Sequence, residues 1–532
     1  GYETVRSPFI DYILEDKESY KPLSSSICRF TGKPWIDRDN DFLIGESGGV
    51  LMKIDFVFVG TEIFSRVADF YEKHGCYCLE PDDSPNTVKF WQREMDRRVK
   101  GVQAYCKLYI KDIPAYLAAK SDAERKALLH KVRITGDHYN YLNYGRIERA
   151  PNEKERKQLD KEGRFKVNTV EGFPRFWDGD YWNFKIDELI ANNSCNLCKA
   201  KARRKGFSYK RGSQAANTIN ANKNVTVTLA ADQMDYLTEK GATSYMVKVN
   251  LDWYEDKTYW RRGYLSENFD KGIELGYKKS KEGQKAFGFR SKLLSVAIGK
   301  NESAAVGKKA IETDFEEAGK CPNLQKALDV MMSNSESGAM RVGTIRVYGT
   351  GGTKGANWEA FSNCFYNPGK NDMLPMENIW DANSRHAVCG FFFPQIWDYE
   401  PFIEDGNSLL FASWKADYDK KRGAEKEKDA GEYNIYVGQR ANSPNEAFTN
   451  TQENIFHSPE LTNHINAIKY DKSNHFYEDG WYILDDGRVR FVTKQECIER
   501  AIFGSDRFHE YITDVPHNSK TDVHGCIREF YS

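Results

Sequence analysis

Lys201-Ala-Arg-Arg-Lys-Gly-Phe-Ser208 is the stretch on which the reading of this chain turns. A phosphate-cradling loop has the form G-x-x-x-x-G-K-[ST]: backbone N–H groups wrap the phosphates, the lysine reaches the β/γ-phosphates, and the hydroxyl binds Mg²⁺. Gly206 and Ser208 stand in place, but Phe207 occupies the lysine position. Positive charge comes instead from Lys201, Arg203, Arg204 and Lys205.

The flanking sequence supplies the context such a loop needs. A short apolar piece near Leu197 to Ala200 precedes it, Ser208 to Ala221 reads as a helix, and Val225-Thr-Val-Thr-Leu229 reads as a strand. In the order strand, loop, helix, strand, the helix N-terminus adds positive potential to the loop's N–H groups. Gly343 to Tyr348 is expected to be a strand ending in a Gly-rich turn, and Ala387 to Phe393 a buried strand.

Upstream, Lys53 to Phe58 alternates as a half-buried strand would, and a helix is expected over 88–110. Ser121-Asp-Ala-Glu124 has a capping-box pattern leading into a helix through Val132. Ile134 to Gly145 and Phe173 to Trp182 are dense in aromatic residues. Downstream, Ala416 to Ala430 reads as a charged, solvated helix, and Asp485-Asp-Gly487 signals a hairpin.

A length of 532 residues predicts two or three structural units. Lys and Arg (77) nearly balance Asp and Glu (78), so any nucleic-acid contact must come from local basic patches. No apolar run is long enough to span a bilayer, and no signal-peptide pattern opens the chain. Eleven scattered cysteines argue for a reducing compartment, and Cys195-x-x-Cys198 and Cys76-x-Cys78 lack the paired spacing of a zinc knuckle. Gly at position 1 points to a trimmed or engineered amino terminus.

Nucleotide hydrolysis needs a phosphate cradle, a hydroxyl and an acid for Mg²⁺, and a base that orients water. Ser208 supplies the hydroxyl, Glu316 is the candidate metal-site acid, and Glu317 the candidate base. The preceding Ile311-Glu-Thr-Asp-Phe315 is a poor buried strand by its apolar content. Thr350, expected at the end of a strand beside that of the acids, is placed to sense a γ-phosphate.

At these residues the chain resembles the ATPase part of large terminases, the DNA-packaging motors of tailed bacteriophages. The family's deviant loop has Lys, a spacer and Arg-x-Gly-aromatic-Ser, as in Lys201 with Arg204-Lys-Gly-Phe-Ser208. Its acidic motif is matched by Phe315-Glu-Glu-Ala-Gly319 and its coupling turn by Gly349-Thr-Gly-Gly352. Pro444-Asn-Glu-Ala-Phe448 is similar to the family's lid or linker.

The resemblance implies an α/β fold: a P-loop NTPase (ASCE-type) core with a mainly parallel central sheet flanked by helices. It divides the chain into an N-terminal accessory region (1–130), the ATPase core (131–400) and a lid or linker region (401–532). It implies ATP and Mg²⁺ as cofactors, with Lys201, Arg203, Arg204, Lys205, Gly206, Phe207, Ser208 and Tyr209 around the nucleotide. Ser208 and Glu316 would hold the metal, Glu317 and Arg204 would act in catalysis, and Thr350 and Gly351 in coupling. Either Lys201 or Lys205 replaces the absent lysine. The aromatic segments 134–145 and 173–182 would frame the adenine.

The implied partners are double-stranded DNA, a portal protein, a small terminase subunit and further copies in a homo-oligomeric ring (a pentamer), with no membrane. The implied location is the host bacterial cytoplasm, with transient docking on the viral procapsid. The family's nuclease carboxylates are expected to be absent, leaving a motor fragment. A helicase-like remodelling ATPase and a catalytically silent nucleotide-binding adaptor are the alternatives.

Overall fold

The computed structural model describes residues 42–44, 50–52, 61–77, 85–110, 115, 118–127, 129–193, 195–269, 272–279, 285–299, 309–337, 340–341, 343–351, 358–378, 380–381, 388–404, 406–417, 422–423, 430–448, 477–485, 488–493, 496 and 527–530. The chain forms two compact units, Gly1–Ala382 with His386–Ile455, and Asn383–Arg385 with Phe456–Ser532. The strand expected over 53–58 and most of the helix expected over 416–430 lie outside the described residues.

The larger unit is built on an eight-stranded sheet: β1 (Leu197–Lys201), β2 (Thr226–Ala231), β3 (Tyr264–Asn268), β4 (Gly272–Leu275), β5 (Lys292–Ala297), β6 (Glu312–Phe315), β7 (Thr344–Thr350) and β8 (Phe391–Phe393). Their spatial order is β8-β1-β7-β6-β2-β5-β4-β3. The first six are parallel, and β4 and β3 extend the edge as an antiparallel pair. The parallel strands are buried on both faces, as their apolar runs require: Leu197, Cys198, Val227, Leu229, Ile345, Val347 and Phe391 to Phe393 are all within the core.

Helices α1 (Thr61–His74), α2 (Pro85–Lys100), α3 (Gly136–Tyr144), α4 (Asp178–Asn193), α5 (Phe207–Ala221), α6 (Thr243–Lys257), α7 (Leu324–Asn334) and α8 (Trp358–Tyr366) surround the sheet. Crossovers between parallel strands are right-handed, so direction of travel sets the face on which each helix lies. From β1 the chain passes through α5 toward β2, whereas from β7 it passes through α8 the opposite way to β8. Neighbouring β1 and β7 therefore send their helices to opposite faces. The crevice beyond their C-terminal ends is the switch point where such sheets bind ligands.

Phe64 of α1 and Trp91 of α2 belong to the same hydrophobic core, with Tyr144 of α3 and Trp260. Two expectations upstream are corrected. The helix expected over 88–110 stops at Lys100, where Gly101 takes a positive φ of 79°, and Val102–Ile110 is a strand. The helix expected to run to Val132 covers only Asp122–Ala127, although Glu124 N–H does bond Ser121 Oγ at 3.2 Å. Leu129–Ile134 pairs antiparallel with Val102–Ile110, because its alternating apolar and β-branched residues suit a pleated surface.

In the charged segment after 400, Asp417 and Arg422 are buried rather than solvated. Arg422 bonds Asp417 Oδ2 at 2.9 Å and Glu446 Oε1 at 2.6 Å. The strand expected over 387–393 is interrupted at Gly390, leaving Phe391–Phe393 in the sheet. The smaller unit has β9 (Tyr477–Asp485) between β10 (Arg488–Thr493) and β11 (Ile527–Phe530), with Asp485 opposite Arg488 across the expected hairpin.

Helices α5 and α6 pack closely because α5 carries Gly212 at the contact. A Cβ on Gly212 would stand 2.5 Å from the Cβ of Met246. Alanine would gain about 1 kcal/mol of helix propensity, but overpacking costs about 1–3 kcal/mol. Gly212→Ala is therefore expected to destabilise the protein by about 1 kcal/mol net, read as a lowered denaturation midpoint with an unchanged m-value.

Candidate functional site

Parallel pairing brings the chemistry of distant segments to one edge. Lys201 ends β1, Thr350 ends β7 directly opposite it, and Glu316 and Glu317 follow the last residue of β6. The loop from Lys201 leads into α5 through Gly206, whose φ of 67° lies in the left-handed region. Space around Gly206 is open, so backbone conformation rather than crowding calls for glycine there.

Lys201 Nζ donates to Thr350 Oγ1 at 2.8 Å and to Glu317 Oε1 at 3.2 Å. An ammonium has three donors, so one remains for a further acceptor. Lys205 faces the other way. Its Nζ bonds the carbonyls of Gln395 at 2.7 Å and Trp397 at 2.6 Å, with that of Asp398 at 3.5 Å. Burial pushes Lys205 down to about 7, partly offset by Asp398. Of the two lysines, only Lys201 bonds Glu317 and Thr350.

Phe207, in the position expected for lysine, is buried against Phe393 and Tyr348, with ring centroids 5.4 and 6.1 Å away. The ammonium groups of Lys199, Lys201 and Lys210 lie 5.8, 5.7 and 5.2 Å from its ring. The aromatic side chain thus fills the space under the loop, and the cations gather around it.

Ser208 Oγ donates to Glu316 Oε1 at 2.8 Å, and Thr243 Oγ1 donates to Glu316 Oε2. Burial pushes the Glu316 carboxyl up to about 7, against the two hydroxyl bonds that favour its charged form, with the neighbouring Glu317 raising it further. Burial also acts to raise Glu317, but Lys201 outweighs it and holds that carboxyl below its ordinary value. Adjacent acids are thereby driven apart, one tending to protonate and the other to stay charged. Glu317 has φ 47° and ψ 48°, a left-handed conformation costly for a glutamate that turns it away from the strand direction.

The remaining expected residues surround this centre. Arg203 is tied to Gln439 by its backbone N–H (2.7 Å) and its guanidinium (2.9 Å), while Arg204 is exposed with φ 62°. A cavity of about 720 Å³ is lined by Lys201, Ser208, Glu317, Lys320, Lys240 and Thr350, among others. A second, of about 910 Å³, adjoins it across Arg204, Gly206 and Tyr209, which line both. Tyr141, Arg175 and Trp177 line the second cavity, whereas His138, Tyr139, Tyr144, Phe173 and Phe176 of the aromatic segments are core residues. Gly351 is pressed by the short helix Pro444–Ala447: a Cβ there would stand 2.3 Å from the Ala447 carbonyl oxygen.

Sequence reasoning missed Thr243, Lys240 and Lys320, whose proximity is purely tertiary, and the ion network beneath the loop. Arg211 of α5 bonds Asp314 (2.8 Å) and Glu312 (2.5 Å) of β6. Asp187 of α4 takes Lys199 of β1 at 2.6 Å and Arg346 of β7 at 3.2 Å. These acids explain why β6 is poor in apolar residues: Glu312 and Asp314 face buried cations. Burial opposes ionisation of Asp187 and Glu312, yet the cations hold both below ordinary carboxylate values. Among the described residues no group of three or more His, Cys, Asp or Glu is placed to hold a metal, and Cys195 and Cys198 are simply buried. No helix among the described residues is long and apolar enough to cross a membrane.

The raised Glu316 makes a signed prediction for the protein without ligands. Because its folded value lies above its unfolded one, the native state binds more protons between about 4.5 and 7, and stability falls as pH rises through that window. Glu316→Gln should therefore raise the Tm at about pH 8, by up to ~3 kcal/mol of stability, with the gain vanishing near pH 5. Thermal denaturation of both proteins at the two pH values checks this.

No protein-family model matches the chain, and no curated protein matches it. Among solved structures it is similar to the large terminase ATPase domain of Thermus phage P74-26, at 12% identity and a TM-score of 0.33 over 55% of this chain and 99% of that one. A point mutant of the same domain aligns with a TM-score of 0.32, again at 12% identity and the same coverage. Likeness at this level establishes neither family nor function.

Proposed function

We propose that the chain hydrolyses ATP in the crevice beyond β1 and β7. The observation that carries this reading is the convergence of Lys201, Ser208, Glu316, Glu317 and Thr350, from three separate stretches of sequence, at the N-terminus of α5. The third donor of Lys201, the loop's N–H groups and the positive end of α5 favour the β/γ-phosphates of a nucleotide. Arg204, at the mouth of both cavities, supplies further charge to the transition state.

Glu317, kept ionised beside Lys201, is the group to accept a proton from the attacking water. Thr350, bonded to that same lysine, registers whether a γ-phosphate has drawn Lys201 away. Gly351 next to it lies under Pro444–Ala447, giving that change a packed element to move. The hydroxyl and carboxylate oxygens of Ser208 and Glu316 fit Mg²⁺, which takes few protein ligands and supplies charge neutralisation at the phosphates. The adjoining cavity with Tyr141, Arg175 and Trp177 is the side for the base and ribose.

At its finest the proposal is a motor that uses this hydrolysis to translocate double-stranded viral DNA into a procapsid. Its support is the order of the loop, acid and coupling motifs in the sequence. In that role it would work in a ring of copies, a pentamer, on a portal protein in the host bacterial cytoplasm, with a small terminase subunit delivering the DNA.

Phosphate release from ATP, with and without double-stranded DNA, tests the reading; absence of turnover in both would end it. Glu317→Gln should retain ATP binding while losing turnover by about 100-fold or more, as expected for loss of a general base. Lys201→Ala should weaken nucleotide affinity by about tenfold or more, the scale of one charge-assisted contact. Lys205→Ala should instead lower the Tm, since its ammonium caps the 395–398 carbonyls. Equal losses of nucleotide affinity in the two lysine variants would remove this division of labour.

A further inference from the structure

The ATPase reading assigns the metal-side acid and its serine but leaves unexplained what holds the acid in place. Glu316 is fixed through its backbone, whose N–H donates to Ala230 O of β2 at 2.8 Å. Its carboxylate projects from there with both oxygens occupied. Ser208, second residue of α5, holds Oε1, and Thr243, first residue of α6, holds Oε2. The two hydroxyls come from different helices and grip one carboxylate from both sides.

We propose that Thr243 is a positioning residue of this site: by holding Glu316 Oε2 it keeps Oε1 on Ser208, so that the pair is set to take a divalent cation. The inference rests on the ATPase reading above. Three features of the fold converge on it. Thr243 is wholly buried, so its hydroxyl has no water to serve as an alternative partner. It begins α6 after Ala242, a residue whose side chain caps nothing, so the threonine hydroxyl is directed to the acid rather than spent on its own helix end. Its position depends on Gly212, which lets α6 approach α5 closely enough that a Cβ there would also meet Thr243 O at 3.3 Å.

Without the threonine hydroxyl, Oε2 would lose the donor it has, and the carboxylate would turn to recover one. Outer partners of this kind typically govern metal affinity by about 10- to 100-fold. A threonine that merely fills space would govern packing instead, and valine would replace it without consequence for the metal.

The test uses Thr243→Val, which keeps the shape, and Thr243→Ser, which keeps the hydroxyl. Mn²⁺ binding is measured by electron paramagnetic resonance on the full chain with a non-hydrolysable ATP analogue, and binding of the analogue is measured separately in EDTA. Thr243→Val should lose about tenfold or more in Mn²⁺ affinity while its metal-free nucleotide affinity stays at the wild-type level, and Thr243→Ser should restore Mn²⁺ binding. Wild-type Mn²⁺ affinity in Thr243→Val would overturn the proposal, as would parallel loss of Mn²⁺ and metal-free nucleotide binding, which marks a packing role. Failure of the wild-type chain to bind the analogue at all would instead overturn the ATPase reading, and the role of Thr243 with it.

Discussion

The site depends on a buried set of ion pairs that lies outside it. Arg211 binds α5 to the acids of β6, and Asp187 of α4 binds Lys199 of β1 and Arg346 of β7. Three strands and two helices are thereby held in one lateral register directly behind the loop. Removing one partner from such a buried set leaves an uncompensated charge and typically costs about 3–5 kcal/mol. An apolar replacement could pack as densely, but it would not specify which strand lies beside which. In this chain the ion pairs place Ser208 one turn above Arg211, and Glu316 two residues beyond Asp314. The distance between those two site groups follows from that anchoring.

The loop shows how a defect in a motif can be absorbed by packing. A lysine at 207 would have entered the crevice from the start of α5. Phenylalanine there turns inward instead and is covered by Phe393 and Tyr348. Its ring face is negative and attracts the ammonium groups around it. The cation that meets the acids then arrives from the end of β1, where the parallel register sets Lys201 opposite Thr350. Lys205, equally basic on paper, is consumed as a cap on the turn at 395–398. Charge count along the loop does not distinguish these two lysines, whereas hydrogen-bond accounting does.

The linked pair Lys201–Glu317 joins the candidate base to the candidate phosphate ligand at 3.2 Å. Thr350 shares that lysine, and the next residue is pressed by Pro444–Ala447. The Lys201 bond at Thr350 and the Ala447 contact at Gly351 thus fall on consecutive residues.

Much of this was legible in the sequence. The strand, loop and helix from Leu197 to Ala221, the strand ending at Thr350 and the hairpin at Asp485 follow from local periodicity and turn chemistry, which neighbouring residues determine. The candidates Lys201, Ser208, Glu316, Glu317 and Thr350 were identifiable by type and order. Where local pattern misled, a longer-range contact or a single conformation intervened: Gly101 cut one helix, and a strand partner converted 129–134 from helix to sheet. Only the tertiary structure set Lys201 rather than Lys205 beside Glu317 and Thr350, brought Thr243 to Glu316, and explained the acids of β6 by a cation from α5. Those outcomes rest on burial and on partners more than a hundred residues apart, or on the packing of one helix against another through Gly212. Residue type and local periodicity carry no record of either.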